Sequence, residues 1–197
     1  MTNQDCTSDN QNAMNTEVLV MMDLQPNLLK VIPDSESFIQ SCEIAIKAFK
    51  YFDLSILLTE QVPNKMGSTV EDVDKLITTS DSIISKHSFS AFGSDLFLNK
   101  LKELSCKNLI LGGIETSICI YLTAIDALSC GFNVTILSDC VACRRFNDGQ
   151  SVLHNLQAKG VSVLPLESFL FSKLRSSEHP QFKEISAMIR HRATESR

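Results

Sequence analysis

A chain of 197 residues that is 44% hydrophobic and 21% charged can fill one sizeable core but would leave two domains thinly packed. Its formal net charge is -5 and its lysines and arginines are scattered, so no basic stripe marks a nucleic-acid surface. The longest apolar runs, Val18 to Met22 and Leu109 to Ile114, fall far short of the roughly 20 residues of a membrane helix, so neither nucleic acid nor membrane is an expected partner.

Residues 1–16 are polar, with neither the apolar stretch of a signal peptide nor the arginines of a transit peptide, and read as a flexible N-terminal tail. One domain is expected over 17–190, with a C-terminal tail over 191–197. VLVMMD from Val18 is a continuous apolar run that predicts a buried strand ending at Asp23, after which Gln-Pro-Asn breaks the chain. Phe38, Ile39, Cys42, Ile46 and Phe49 recur at helical spacing between Ser35 and Phe52, and LSILLT from Leu54 returns to strand character. The alternation continues with a strand at Ile83 to Lys86, a helix at Ser94 to Leu104, the strand NLILGG from Asn108 and a helix from about Ser117 to Cys130. NVTILSD from Asn133 follows as a strand ending at Asp139, then a helix from Gly149 to Lys159, the short strand VSVL at Val161, and helices at Glu167 to Leu174 and Phe182 to Ile189. Six strands, apolar on both faces and separated by helices, predict a three-layer α-β-α fold with a mainly parallel, Rossmann-like sheet.

Ligands of such sheets bind beyond the carboxyl ends of the strands. That rule selects Asp23, Thr59-Glu60-Gln61, Lys86, the segment Gly113 to Cys119, and Asp139. In LILGGIETSIC a cysteine stands where a helix begins after a strand. Unpaired N–H groups there favour thiolate and can hold an oxyanion, although a free cysteine also serves as a small buried hydrophobe. An aspartate after a strand can initiate an Asx-turn, and Lys86 can be a surface lysine. Together the three supply what a thiol hydrolase needs: a nucleophile, Cys119; a base, Asp23; and a cation, Lys86.

At this set the sequence resembles the isochorismatase-like cysteine hydrolases. The resemblance lies in VLVMMDLQ around Asp23, SKHSFSAF around Lys86 and LGGIETSICIYLTAIDALSCGFNVTILSDCVACR around Cys119. The tail motif HPQFKEIS is similar to that of a branch made up mostly of hydrolases without assigned substrates, and the coverage runs from about Glu17 to Ile189. The resemblance implies that Asp23, Lys86 and Cys119 are the catalytic triad. It further implies a cis peptide between Ile114 and Glu115, an oxyanion hole formed by the N–H groups of Glu115 and Cys119, and a homo-oligomer (dimer, tetramer or larger). The apolar positions of the terminal helices are the sequence's own contribution to that last expectation.

The metal-binding branch of the family carries an Asp-x-His pair after the second strand, where this chain reads TEQVPNKMG, and its four histidines are dispersed. No metal and no cofactor are expected. Gln61 is placed to hydrogen-bond a polar small-molecule substrate, while Phe89, Phe92 and Tyr121 are placed to line an apolar pocket. Cys140 and Cys143 form a single C-x-x-C, a motif that serves redox chemistry elsewhere but stands isolated here, and Arg144 is a candidate ion-pair partner for Asp139. Seven cysteines, several in apolar periodic stretches, predict free thiols in a reducing, cytoplasmic setting. The expected chemistry is cleavage of an amide or related C–N bond through a thioester. Vinyl-ether hydrolysis of the isochorismatase type, and a ligand-binding domain whose hydrolase site has lapsed, are the alternatives.

Overall fold

A computed structural model describes residues 17–195, with side chains to residue 190. The expected N-terminal tail, 1–16, lies outside the described residues. Chain order is β1 (Glu17–Met22), α1 (Pro26–Leu29), α2 (Ser35–Tyr51), β2 (Ser55–Gln61), α3 (Pro63–Met66), α4 (Glu71–Asp74), β3 (Ser82–Lys86), α5 (Asp95–Glu103) and β4 (Asn108–Ile114). There follow α6 (Tyr121–Ser129), β5 (Asn133–Ala142), α7 (Phe146–Ala158), β6 (Ser162–Leu164), α8 (Leu166–Leu174) and α9 (Phe182–Glu195). The last helix runs through most of the segment read as a C-terminal tail.

The six strands form one sheet in the order β3-β2-β1-β4-β5-β6, and every paired neighbour is parallel. Side chains alternate across it with the period of two that a strand imposes. Leu19 and Met21 of β1, Ile56 and Leu58 of β2 and Ile110 of β4 enter one apolar layer, which α2, α8 and α9 close with Phe38, Ile46, Phe49, Leu170 and Ile185. Val18, Val20, Met22, Leu57, Leu109 and Leu111 enter the other, closed by Phe97 of α5, Ala124 and Ala127 of α6 and Leu156 of α7. The strands read as unbroken apolar runs because both faces are covered. The chain reverses its winding direction between β1 and β4, and the crevice of such a sheet opens at their carboxyl ends.

Four expectations need correction. The Pro26 that breaks the chain after β1 also starts α1, because its fixed φ suits a first helical position and its missing N–H costs nothing there. Strand β5 does not stop at Asp139 but continues to Ala142 through a register shift: Leu111 pairs with Ile136, whereas Gly113 pairs with Val141. Asp139 lies within that irregular stretch, and its carboxylate accepts the N–H of Leu166, the first residue of α8, at 2.7 Å. The ion-pair partner of Arg144 is Glu115, with Nε to Oε2 at 2.9 Å. Finally, Leu166, Phe169, Leu170, Leu174, Ile185 and Ile189 of the terminal helices are buried in the chain's own core, so they do not argue for an oligomer.

Candidate active site

Backbone geometry at the ends of β1 and β4 shapes the site. Asp23 follows β1 with φ of 58°, a left-handed conformation that aspartate tolerates better than most residues. Its N–H donates to the Thr59 carbonyl at 2.9 Å, which ties the turn to β2. On β4, Gly113 has φ of 109°, and a Cβ there would lie 2.1 Å from the Met22 carbonyl oxygen, so only glycine lets β4 run this close to β1. The peptide joining Ile114 to Glu115 is cis. The chain then winds through a single π-helical turn, Thr116–Ile120, before α6 begins, and this turn carries Cys119. Extra-wide turns of this kind recur at functional sites.

Strand register explains which side chains meet. Met22 stands beside both Thr59 and Gly113, and Gln61 stands beside Lys86. Lys86 is on β3, two strands from β1 and therefore roughly 10 Å from it across the sheet, a span its long stem bridges under β2. Its ammonium donates to Asp23 Oδ2 at 2.8 Å and to Gln61 Oε1 at 2.6 Å. Farther off are the Ser88 and Phe89 carbonyls, each at 3.3 Å, and Cys119 Sγ at 3.9 Å. The second Asp23 oxygen accepts from Thr59 Oγ1 at 2.6 Å. Asp23, Lys86 and Cys119, drawn from three strand ends, thus form one cluster. Lys86 is not a surface lysine: the Asp23 and Lys86 side chains have no exposed surface, and Cys119 is 7% exposed.

Electrostatics bind the three into one proton-holding unit. Burial pushes the Cys119 thiol up to about 12, the Asp23 charge adds to the rise, and Lys86 offsets only part of it. Burial also raises Asp23 above the ordinary carboxylate value, outweighing the Lys86 ammonium and the hydrogen bonds from Lys86 and Thr59. One buried ammonium stabilises one anion well and two poorly, so carboxylate and thiolate compete for a single negative charge. The Glu115 backbone, beside the sulfur, lowers the thiol slightly against these effects.

The remaining expected residues lie as follows. Gln61 is buried, and its amide is engaged at both ends: Oε1 takes Lys86 and Nε2 donates to the His87 carbonyl at 2.8 Å. Phe89 is 58% exposed and contributes its carbonyl to Lys86, and Tyr121 is half-buried at the start of α6. Phe92 packs edge-on against Phe97 and Phe132. Cys140 is buried and donates to the Ser41 carbonyl, whereas half-buried Cys143 donates to the Arg145 carbonyl, so the two sit in different surroundings. Two contributors escaped the sequence reading. Thr59 donates its hydroxyl to Asp23, and Glu115 carries the carboxylate that holds Arg144. Neither role has a spacing signal, since each depends on the register of neighbouring strands. Among the described residues no group of three or more His, Cys, Asp or Glu side chains is arranged to hold a metal ion, and no helix is long and apolar enough to cross a membrane.

Comparison with known proteins gives a consistent family. The chain is 29% identical over 181 residues to isochorismatase domain-containing protein 1 of Danio rerio, covering 92% of this chain and 63% of the relative, so it spans less than two thirds of that protein's length. A solved structure described as MAR1 ribonuclease from Caenorhabditis elegans superposes with a TM-score of 0.83 at 27% identity, over 89% of this chain and 90% of that one. The YcaC gene product of Escherichia coli, described as an octameric hydrolase of unknown specificity, shares the fold with a TM-score of 0.79 at 18% identity, over 94% and 98% of the two chains. The family described as the Isochorismatase domain matches residues 17–168, and with the parallel sheet and the residues gathered at its switch point this leads to one conclusion: the chain belongs to the isochorismatase family.

Proposed function

We propose that residues 17–190 form a hydrolase domain that cleaves an amide or related C–N bond of a small molecule, with Cys119 as nucleophile, Asp23 as proton acceptor and donor, and Lys86 as the cation. The observation that carries this reading is the burial order of the cluster. Cys119 is 7% exposed whereas the Asp23 and Lys86 side chains are wholly buried, an order that suits a nucleophile in front with carboxylate and ammonium acting from behind.

Magnitudes favour an internal proton transfer over loss of the proton to water. With Asp23 ionised and the thiol held near 12, about one site in 10⁵ would be thiolate at pH 7. Moving the proton to Asp23 removes the opposing carboxylate charge and leaves Lys86, 3.9 Å from the sulfur, unopposed. At an effective dielectric constant of about 20 that attraction is worth about 4 kcal/mol. Sulfur then bonds to the carbonyl carbon, and the N–H groups of Glu115 and Cys119 receive the oxyanion. Collapse breaks the C–N bond as Asp23 returns its proton to the departing nitrogen. Water, deprotonated by Asp23, attacks the thioester, releases the acid and leaves the thiol protonated again.

The test is the pH dependence of Cys119 alkylation, with the modified residue located by mass spectrometry. In wild type the rate should reach a plateau that starts above the ordinary carboxylate range and persists toward pH 12, because the shared proton stays inside. In Asp23→Asn the plateau should give way to a single thiol titration. A wild-type thiol with an ordinary profile, unchanged in the mutant, would remove the proposal. Vinyl-ether hydrolysis is the second reading, favoured by the matching Isochorismatase domain. Turnover of isochorismate but of no member of a panel of small amides, dependent on Cys119, would select it. The nematode protein is named a ribonuclease, but with a formal charge of -5 we propose no nucleic-acid partner for this chain. A homo-oligomer is part of the proposal, supported by the octameric YcaC protein, as is a reducing, cytoplasmic setting, with which the free thiols agree.

A further inference from the structure

The proton transfer just described raises a geometric problem at Lys86. An ammonium has three N–H groups, and its strongest partner is a carboxylate that changes charge during the reaction. While Asp23 is an anion it draws Nζ toward itself; once it is protonated, that pull weakens and the thiolate becomes the anion to be neutralised. A lysine on a flexible stem tethered by Asp23 alone would drift with the proton, and side-chain entropy would oppose its return. Something whose own charge stays constant has to fix Nζ between the two anions.

Gln61 meets that requirement. Its Oε1 lies 2.6 Å from Nζ, closer than the 2.8 Å of Asp23 Oδ2, and it is a neutral acceptor throughout. The orientation of the amide is set by its other end, since Nε2 donates to the His87 carbonyl at 2.8 Å, which forces oxygen toward the lysine. The backbone of Gln61 is anchored in turn by buried Gln25, whose Oε1 accepts the Gln61 N–H at 2.7 Å and whose Nε2 reaches the Gln61 carbonyl at 3.2 Å. Because Gln61 and Lys86 are register partners on β2 and β3, their side chains project to the same face. The remaining protein acceptors, the Ser88 and Phe89 carbonyls, lie at 3.3 Å and hold Nζ more weakly.

We infer that Gln61 is a positioning residue that holds the Lys86 ammonium between Asp23 and Cys119 while the proton moves from sulfur to carboxylate, rather than a contact for the substrate. The inference rests on the proposed Cys119, Asp23 and Lys86 hydrolase. No bond changes at Gln61; the proton leaves Cys119 Sγ, arrives on an Asp23 oxygen, and the ammonium keeps its charge.

The experiment uses the full chain and iodoacetamide, a small reagent that reports thiolate without needing the natural substrate. Alkylation of Cys119 is followed against pH in wild type, Gln61→Met and the isosteric Gln61→Glu, with Cys119→Ala as background and thermal unfolding measured alongside. Gln61→Met removes the neutral acceptor and lets Asp23 capture the ammonium, so the plateau rate should fall on the order of tenfold, the equivalent of one pKa unit. Gln61→Glu adds a negative charge beside the ammonium, so the acid edge of the plateau should move to higher pH. A role limited to holding the fold would lower the melting temperature without altering plateau height or acid edge. A substrate contact would raise KM for a turned-over substrate and leave alkylation untouched. Either result overturns the inference while the hydrolase reading stands. A wild-type thiol of ordinary reactivity would instead bring down the hydrolase reading, and this inference with it.

Discussion

At the residue scale, Cys119 couples its own chemistry to folding. The unfolded thiol releases its proton near the ordinary value of 9.0, whereas the folded thiol keeps it to about 12. Below pH 9 both states hold the proton and nothing changes. Above it the unfolded state binds fewer protons, so stability falls as pH rises through that window. By pH 10.5 the loss should be about 2 kcal/mol, at 1.36 kcal/mol for each unit. Cys106, which burial raises to about 11, loses stability with the same sign over a narrower range. Urea unfolding at pH 8 and 10.5 should therefore show a smaller alkaline loss in Cys119→Ser than in wild type. An equal loss in both would mean that Cys119 is not held protonated by the fold. The identities of Asp23, Lys86 and Cys119 could be read from their motifs, but their burial could not. That Lys86 spans two strands to reach Asp23 follows from a sheet order which spacing along the chain does not encode.

At the element scale, most strands and long helices follow from apolar periodicity, since layers on both faces demand it. The errors cluster where tertiary contacts override the local pattern. β5 continues past Asp139 because β4 is there to pair with Val141 and Ala142, and the short helices α1, α3 and α4 are too brief to leave a repeat in the sequence. Packing of β1 on β4 depends on Gly113. An alanine there would place Cβ 2.1 Å from the Met22 carbonyl oxygen and 2.4 Å from its nitrogen, and backbone atoms cannot step aside as a flexible side chain could. Gly113→Ala should cost about 3 kcal/mol or more in urea unfolding and displace the Cys119 turn, so alkylation of Cys119 should lose its plateau as well. Stability within about 0.5 kcal/mol of wild type would show that the two strands can separate without cost.

At the scale of the whole molecule, the terminal helices that looked available to a partner instead complete the layer over α2, where Phe169 stacks on Phe49 at 5.6 Å between centroids. The homo-oligomer that the family resemblance implies, and that is proposed above, therefore gains no support from those helices. Native mass measurement should return an integral multiple, two or more, of the 21.9 kDa chain; a monomer at micromolar concentration would contradict it. By itself the sequence determined the fold class, because unbroken apolar strands alternating with helices leave a doubly covered parallel sheet as the solution. It also determined the three residue types at three strand ends, because strand ends carry recognisable motifs. Only the tertiary structure decided that Thr59 and Gln61 hydrogen-bond the carboxylate and the ammonium, that Arg144 turns to Glu115, and that the Asp23 and Lys86 side chains are wholly buried beside Cys119. Those facts depend on strand order, register and depth, which arise when separate segments pack and are carried by none of them singly.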